Sequence, residues 1–373
     1  MIAAVPHQGG ATWAVLQYLL GFRRLGHEVH FVEPIAAQAI RPAGASLESS
    51  VNAAYFRDVV RDFGIEECAS LLGPERQTVG VSYAGLRELA RGADVLVNIS
   101  GMLTDAALLE PIPVRLYLDL DPAFNQLWHA TQGVDMHFDG HTHFVTVGQA
   151  IGRPDCPVPT CGRSWLTTLQ PVVLEHWPVA GPGVYDALTT IGHWRGYGSI
   201  EHAGVFYGQK AHSLRPLIAL PRKAPMRLLL AMAIHPGETK DLDLLSRNGW
   251  ELIDPATVAG TPRTYQRFIQ GSRAEFGLAK SGYAVSRCGW LSDRSVAYLA
   301  SGRPVLAQDT GLEAFMPSGR GLFTFRTEED VLAAIEQLRG DYVTHARAAR
   351  ELAQEHFDSD RVLSLLLQRT GAG

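Results

Sequence analysis

The chain has few features that would place it outside the ordinary globular proteins. It contains 4 cysteines among 373 residues, and their scattered positions do not make a disulfide framework: Cys68, Cys156, Cys161 and Cys288. Charged residues make up 19% of the chain and the net charge is -5, so the basic excess typical of nucleic-acid binding is missing. We therefore expect neither a disulfide-stapled scaffold nor a nucleic-acid partner.

Long hydrophobic runs are missing as well. The longest strongly apolar runs, such as Leu228 to Ile234, are far too short to cross a bilayer. The N-terminus shows no basic segment followed by an apolar core and a small-residue cleavage site, as a secretory signal would. We expect no transmembrane segment and a cytoplasmic location, and the sequence does not indicate an oligomeric state.

Alternating strand and helix patterns predict an α/β fold. A short strand at Ile2 to Val5, a glycine-containing turn, a helix from about Ala11 to Leu25 and a strand at His27 to Glu33 form the first unit. A second β/α series begins near Val184. Because 373 residues exceed the usual size of one hydrophobic core, we predict two domains.

The most informative segment runs from Cys288 to Gly311. Ser292 or Asp293 can cap a helix that ends at Gly302, and the free N–H groups of its first turn then lie beside Arg294 and Ser295. Such a helix start is a ready site for an anion such as a diphosphate. The strand that follows brings three polar residues to its carboxyl end, where α/β sheets bind ligands: Gln308, Asp309 and Thr310.

This segment resembles the donor half of glycosyltransferases with the GT-B architecture, in particular the group-1 family. The resemblance implies an α/β protein with two Rossmann-like domains that face each other across a cleft. It implies an acceptor-binding domain over residues 1–180 and a nucleotide-sugar-binding domain over residues 181–355. Residues 356–373 would form a terminal helix that packs back on the first domain.

The resemblance also implies the donor-binding residues. Arg195 and Lys210 stand at about the places where the family keeps two cations that contact the diphosphate. The remaining donor ligands would come from the segment described above: Asp293, Arg294, Ser295, Gln308, Asp309 and Thr310. Replacement of Arg294 by alanine is then expected to abolish donor turnover while the protein stays folded. Gly289 and Ala297 occupy the positions of two family glutamates, so the stereochemistry of transfer does not carry over.

Three residues are candidates for the base that deprotonates the acceptor. His7 follows the first strand, and histidine suits proton abstraction near neutral pH. Gly9 and Gly10 would form the floor of the cleft beside it. Asp119 and Asp121 follow an apolar strand on one face, so either could be the base or could orient His7. A loop histidine and a turn-capping aspartate are the simpler interpretations.

Two other classes of site are less well supported. A nicotinamide enzyme would use the glycine turn for pyrophosphate and Glu33 for ribose, but Thr12 and Trp13 stand where a third glycine is needed. A zinc site could draw on a set of two histidines and two cysteines whose spacing is poor: His141, His143, Cys156 and Cys161. We expect no metal at the site.

The sequence therefore predicts a metal-independent glycosyltransferase without a cofactor. Its substrates would be a nucleoside-diphosphate sugar and a small, natural-product-like acceptor. Three alternatives remain: a nucleotide-sugar epimerase, a phosphorylase on the same scaffold, and a non-catalytic protein that binds nucleotide sugars.

Overall fold

Fifteen strands form four sheets within residues 1–371, which are the residues that this computed structural model describes. The strands are β1 (Phe31–Pro34), β2 (Ala69–Leu72), β3 (Thr78–Gly80), β4 (Val95–Ile99), β5 (Val114–Asp119), β6 (His143–Thr146), β7 (Trp165–Thr167), β8 (Tyr185–His193), β9 (Ile200–His202), β10 (Val205–Tyr207), β11 (Arg227–Ala233), β12 (Glu251–Leu252), β13 (Ser272–Gly277), β14 (Val305–Gln308) and β15 (Leu322–Phe325).

The helices lie between and around these strands. They are α1 (Gly9–Arg24), α2 (Val51–Asp62), α3 (Tyr83–Gly92), α4 (Ala106–Leu109), α5 (Phe124–Thr131), α6 (Lys210–Leu214), α7 (Thr239–Arg247), α8 (Pro255–Ala259), α9 (Pro262–Gly271), α10 (Ser281–Ser286), α11 (Asp293–Ala300), α12 (Glu328–Gly340), α13 (Tyr342–Leu352) and α14 (Ser359–Arg369). No helix within residues 1–371 is both long and apolar enough to cross a membrane.

The sheets follow one another along the chain in two units. The N-terminal unit holds the sheet β1-β2-β3 and the parallel sheet β4-β5-β6-β7. The C-terminal unit holds one parallel six-stranded sheet in the order β12-β11-β8-β13-β14-β15, with the hairpin of β9 and β10 beside it. α-Helices connect most of the successive parallel strands, as in βαβ units, but no α-helix lies between β6 and β7 or between β14 and β15. The predicted α/β fold is confirmed.

The strand predicted at Ile2 to Val5 is wrong. The backbone amides of this segment donate to a side chain instead of a neighbouring strand: Ile2 N lies 2.8 Å from Glu33 Oε2, and Ala4 N lies 2.8 Å from Glu33 Oε1. The buried Glu33 carboxylate thus satisfies amides that a strand would have paired. The same contacts occupy the group that a dinucleotide site would need for a ribose.

Helix α1 contacts both the C-terminal unit and the last helix of the chain. The indole Nε1 of Trp13 donates to the carbonyl of Pro262 at the start of α9, 2.8 Å away. Leu363 and Leu367 of α14 pack in one buried cluster with Tyr18 and Phe22 of α1. Residues 372 and 373 of the predicted terminal helix lie outside the described residues, and the domain boundaries stay predictions.

Candidate functional site

A cavity of about 1130 Å³ lies between the two units. Its floor is the loop before α1, and its other walls are the carboxyl ends of β8, β11 and β13 and the start of α11. Parallel sheets bind ligands at this end, and the volume suits a ligand at the large end of the usual range. We therefore take this cavity, the interdomain cleft, as the candidate functional site.

Positive charge exceeds negative charge on the cleft wall. The cationic side chains are Arg195, Lys210, Lys280 and Arg294, and the carboxylates are Asp121, Asp254 and Asp293. His7, His193 and His235 lie on the same wall. This arrangement favours an anionic ligand.

Lys210 is the cleft cation whose charge is least balanced by neighbouring carboxylates. It opens α6, and its Nζ lies beside Gly192 at the end of β8. Within residues 1–371 no carboxylate comes within 4.0 Å of it, in contrast to Lys280, which pairs with Asp121. Burial, together with the charges of Arg294 and Lys280, lowers the pKa of Lys210 to about 7. An anion bound beside it would relieve this unfavourable environment.

Arg195 also reaches the cleft, but it has protein partners. Its Nε lies 2.6 Å from Glu238 Oε1, and its Nη2 lies 3.9 Å from Asp241 Oδ2. The side chain remains about one third exposed, so a stronger anion could still compete for it. The structure brings this predicted phosphate ligand into the same cleft as Lys210.

Arg294 is more deeply buried than the sequence suggested. Its Nε lies 2.5 Å from Glu275 Oε1, and its Nη1 donates to the Ile191 carbonyl at 2.8 Å. Glu275 is fully buried and Arg294 is 6% exposed. Arg294 therefore supplies positive potential to the cleft, while Glu275 and the Ile191 carbonyl use two of its five N–H donors.

The start of α11 differs from the predicted anion cradle. The Ser292 hydroxyl accepts from Arg294 N at 3.2 Å, so one of the free amides is already capped. Asp293 occupies the first turn and lines the cleft, and burial raises the pKa of its carboxyl. Ser295, a predicted donor ligand, is buried and does not line the cleft. A carboxylate here would repel a phosphate, so hydroxyl groups are the better partners for Asp293.

The donor-binding role predicted for Gln308, Asp309 and Thr310 needs correction, because none of them lines the cleft. The Gln308 Oε1 accepts from the Ala279 backbone amide at 3.2 Å, and the Thr310 hydroxyl donates to the Trp290 carbonyl at 2.6 Å. Asp309 pairs with two arginines, Arg287 at 3.1 Å and Arg326 at 2.7 Å. These side chains hold the loop after β14 in place.

The two aspartates after β5 have different surroundings. Asp121 lies at the cleft and is held by three residues of the C-terminal unit: Tyr197, Lys280 and Tyr283. The sequence did not point to Lys280 or Tyr283 as site residues. Lys280 comes just after β13, so the rule that ligands lie at the carboxyl ends of parallel strands could have identified it. Tyr283 carries no comparable local signal.

Asp119 is a structural residue rather than a base. It is fully buried and lines no part of the cleft. Its Oδ1 accepts from the Asn125 amide at 2.7 Å, and its Oδ2 accepts from Gln126 at 2.7 Å and from the Thr146 hydroxyl at 2.8 Å. The backbone amide of Asp121 donates to Oδ1 at 3.0 Å, so Asp119 fixes the loop that carries Asp121.

Asp119→Asn is expected to lower the free energy of unfolding by about 1–3 kcal/mol. The NH₂ group of the new asparagine would face hydrogen-bond donors, so a buried polar group would be left unpaired. Urea unfolding measures this loss, and Asp139→Asn at an exposed position is the matched control. If the variant keeps wild-type stability, the role assigned to Asp119 is wrong.

The stability of the wild type also depends on this carboxyl group. Burial raises the Asp119 pKa from 3.8 to about 6. Between these two pH values the folded state binds more protons than the unfolded state, so the free energy of unfolding falls as pH rises.

His7 and the two glycines form the floor of the cleft. His7 is exposed, has a left-handed backbone (φ 62°), and packs its ring against Tyr55 with centroids 4.9 Å apart. Gly9 is buried, and a Cβ there would overlap the Thr261 carbonyl. Gly10 lines the cleft, and a Cβ there would lie 2.9 Å from the Tyr265 ring. The glycines thus allow close approach of α1 to α9.

The zinc alternative finds no support in the described part of the chain. Residues 1–371 contain no group of three or more histidine, cysteine, aspartate or glutamate side chains that could hold a metal ion. His141 instead contacts the Asn98 amide at 3.0 Å, and the Cys161 thiol donates to the Gln126 carbonyl at 3.3 Å.

No protein-family model and no curated protein sequence matches this chain. It is similar along most of its length to several solved structures. AviGT4, a glycosyltransferase involved in avilamycin A biosynthesis, is 16% identical, with a TM-score of 0.54 over 99% of this chain and 92% of that chain. HepE from Anabaena, solved with UDP and glucose, is 14% identical, with a TM-score of 0.57 over 98% of this chain and 96% of that chain.

An α-glucosyltransferase solved with UDP is 12% identical, with a TM-score of 0.57 over 100% of this chain and 98% of that chain. At these identities the similarity establishes the architecture. The chain has the GT-B fold, with two Rossmann-like units, as its sequence predicted.

Proposed function

We propose that this GT-B protein is a glycosyltransferase that moves a sugar from a nucleoside-diphosphate sugar to a small-molecule acceptor. The observation that carries the proposal is the unpaired Lys210 in an interdomain cleft with three further cations. Such a cluster suits a diphosphate, whose charge grows when the sugar leaves. The involvement of AviGT4 in avilamycin A biosynthesis favours a small-molecule acceptor.

Three of the four cleft cations have roles that follow from their surroundings. Lys210 would contact the diphosphate directly, since no carboxylate of the described residues pairs with it. Arg195 would join it by exchanging its Glu238 contact for a phosphate oxygen. Arg294 would act mainly through its charge, because Glu275 and the Ile191 carbonyl hold its guanidinium. Asp293 would accept hydrogen bonds from sugar or ribose hydroxyls.

His7 is the better candidate for the base. It lines the cleft and has a free imidazole among the described residues, whereas Lys280 and two tyrosines already hold the Asp121 carboxylate. The acceptor oxygen would attack the anomeric carbon while its proton passes to the His7 ring. The bond from that carbon to the diphosphate would break, and its electron pair would leave on the phosphate oxygen.

The proposed reaction uses no cofactor and no metal, since the protein's own cations can balance the charge of the leaving diphosphate. Incubation with EDTA is therefore expected to leave turnover unchanged. The stereochemistry is left open. Ala297 is buried within α11, and Gly289 packs against Gln149 and Phe315, so neither position offers a carboxylate to the sugar.

A panel of nucleotide sugars, with and without small hydroxyl-bearing acceptors, tests the proposal. UDP-sugars come first, because HepE and the α-glucosyltransferase were solved with UDP. Release of nucleoside diphosphate that depends on an acceptor is the expected result. Interconversion of the donor would instead indicate an epimerase, transfer to phosphate would indicate a phosphorylase, and binding without turnover would indicate a non-catalytic partner.

The pH dependence of UDP binding is expected to follow Lys210. Because the pKa of this lysine is about 7, the free protein loses the charge above neutral pH, and the dissociation constant should rise by up to about tenfold per pH unit. Between pH 7.5 and 9 the terminal phosphate of UDP is already fully ionised, so titration calorimetry over this range isolates the protein group.

Lys210→Arg is the matched control for this prediction. A guanidinium stays protonated throughout this range, so the variant should bind UDP with an affinity that does not fall with pH. If the variant and the wild type show the same slope, another group controls binding and the assignment of Lys210 is wrong.

A further inference from the structure

An ion pair crosses the cleft between the two units. Lys280 Nζ lies 2.9 Å from Asp121 Oδ1 and 2.8 Å from Asp121 Oδ2. The Tyr197 hydroxyl donates to Oδ2 at 2.6 Å, and the Tyr283 hydroxyl donates to Oδ1. We call these four residues the Asp121 cage. Asp121 comes from the N-terminal unit, whereas the other three come from the C-terminal unit.

The cage lies beside the proposed diphosphate site. Asp121, Lys280 and Tyr283 line the same cleft as Lys210. The charges of both Asp121 and Lys280 act on Lys210, the first raising its pKa and the second lowering it. A diphosphate bound at Lys210 would therefore be close enough to attract Lys280 as well, and it carries more negative charge than one carboxylate.

Lys280 also donates to the Tyr197 and Tyr283 hydroxyls, and these hydroxyls keep the Asp121 carboxylate hydrogen-bonded if Lys280 changes partner. The ammonium also lies 4.2 Å from the ring centroid of Tyr197 and 5.0 Å from that of Phe124. Aromatic faces stabilise a cation without fixing it to one acceptor.

We infer that Lys280 is a shared cation, paired with Asp121 in the free protein and turned to the diphosphate when the nucleotide sugar binds. The inference rests on the proposed function. The exchange leaves Asp121 free to accept a hydrogen bond from the acceptor hydroxyl. Asp121 then holds that hydroxyl beside His7. Donor binding therefore prepares the acceptor site, and the donor binds first.

Titration calorimetry with UDP on four proteins tests this inference: the wild type, Asp121→Asn, Lys280→Met and the double variant. Lys280→Met removes a phosphate contact and should weaken UDP binding by about tenfold or more. Asp121→Asn removes the competing partner, so it should strengthen binding several-fold. This gain should disappear in the double variant, because no ammonium is left to be released.

Asp254→Asn is the matched control for the loss of a negative charge. Asp254 lines the same cleft and caps α8 through the Ala256 amide at 2.9 Å, a contact that asparagine can keep. It has no Lys280 partner, so UDP affinity should change little. Thermal unfolding checks that each variant is folded, and Lys280→Gln replaces Lys280→Met if that protein is not.

Two results separate failure of the inference from failure of the proposed function. The shared-cation role is wrong if UDP binds but its affinity does not rise in Asp121→Asn. It is also wrong if the affinity rises equally when Lys280 is replaced as well, or rises equally in Asp254→Asn. In each of these cases the proposed function stands. If UDP, TDP and GDP all fail to bind to the wild type, the proposed function fails and the role of Lys280 fails with it.

Discussion

Arg294→Met is expected to lower the free energy of unfolding by about 3–5 kcal/mol, the usual cost of leaving one member of a buried ion pair without its partner. Glu275 is fully buried, and its Oε2 has no hydrogen-bond partner within residues 1–371. Its Oε1 depends on Arg294 at 2.5 Å. Removal of the guanidinium therefore leaves a charge in a site that offers it no replacement.

Urea unfolding of the wild type, Arg294→Met, Glu275→Gln and the double variant measures this effect. The double variant should recover most of the lost stability, because two neutral side chains of similar size fill the same space. A loss below about 1 kcal/mol in the single variant would mean that water reaches Glu275 and that the pair is not buried in solution.

This expectation revises the one drawn from sequence, in which Arg294→Ala loses turnover but stays folded. A variant that unfolds also loses turnover, so activity alone would not show that Arg294 acts on the donor. Lys210 and Lys280 are better probes of donor binding, because neither side chain supports a fully buried charge.

Local signals explain what the sequence predicted well. The capping serine before α11, the glycine and proline after it, and the apolar run of β14 each act over a few residues, so their positions could be predicted closely. The same signals indicated the segment that resembles GT-B enzymes. The fold and the general place of the cleft followed from them.

Long-range contacts explain what the sequence did not predict. Asp121 and Lys280 are 159 residues apart, and nothing near either residue indicates the other. The carboxylate of Glu33 replaces a strand partner for the first residues, which hydrophobic pattern alone does not reveal. Asp309 lies at the expected end of β14, but Arg287 and Arg326 come from other elements and turn it from ligand into structural support.

His7→Asn is expected to lower turnover by about 10²–10⁴-fold, the usual contribution of a general base, with UDP affinity unchanged. Asparagine is the chosen replacement because His7 has a left-handed backbone (φ 62°), which asparagine tolerates better than alanine. Its amide cannot take the proton from the acceptor. Single-turnover rates with donor and acceptor, together with UDP titration, measure the two effects separately.

Comparison with Asp121→Asn decides which residue is the base. If His7 takes the proton, His7→Asn loses rate without any change in UDP affinity, whereas Asp121→Asn changes UDP affinity through Lys280 and weakens the binding of the acceptor. If His7→Asn keeps full turnover and only Asp121→Asn loses rate, the aspartate is the base. Lys280 would then control access to the base, because its ammonium, 2.8 Å from Asp121 Oδ2, occupies the carboxylate until the donor draws it away.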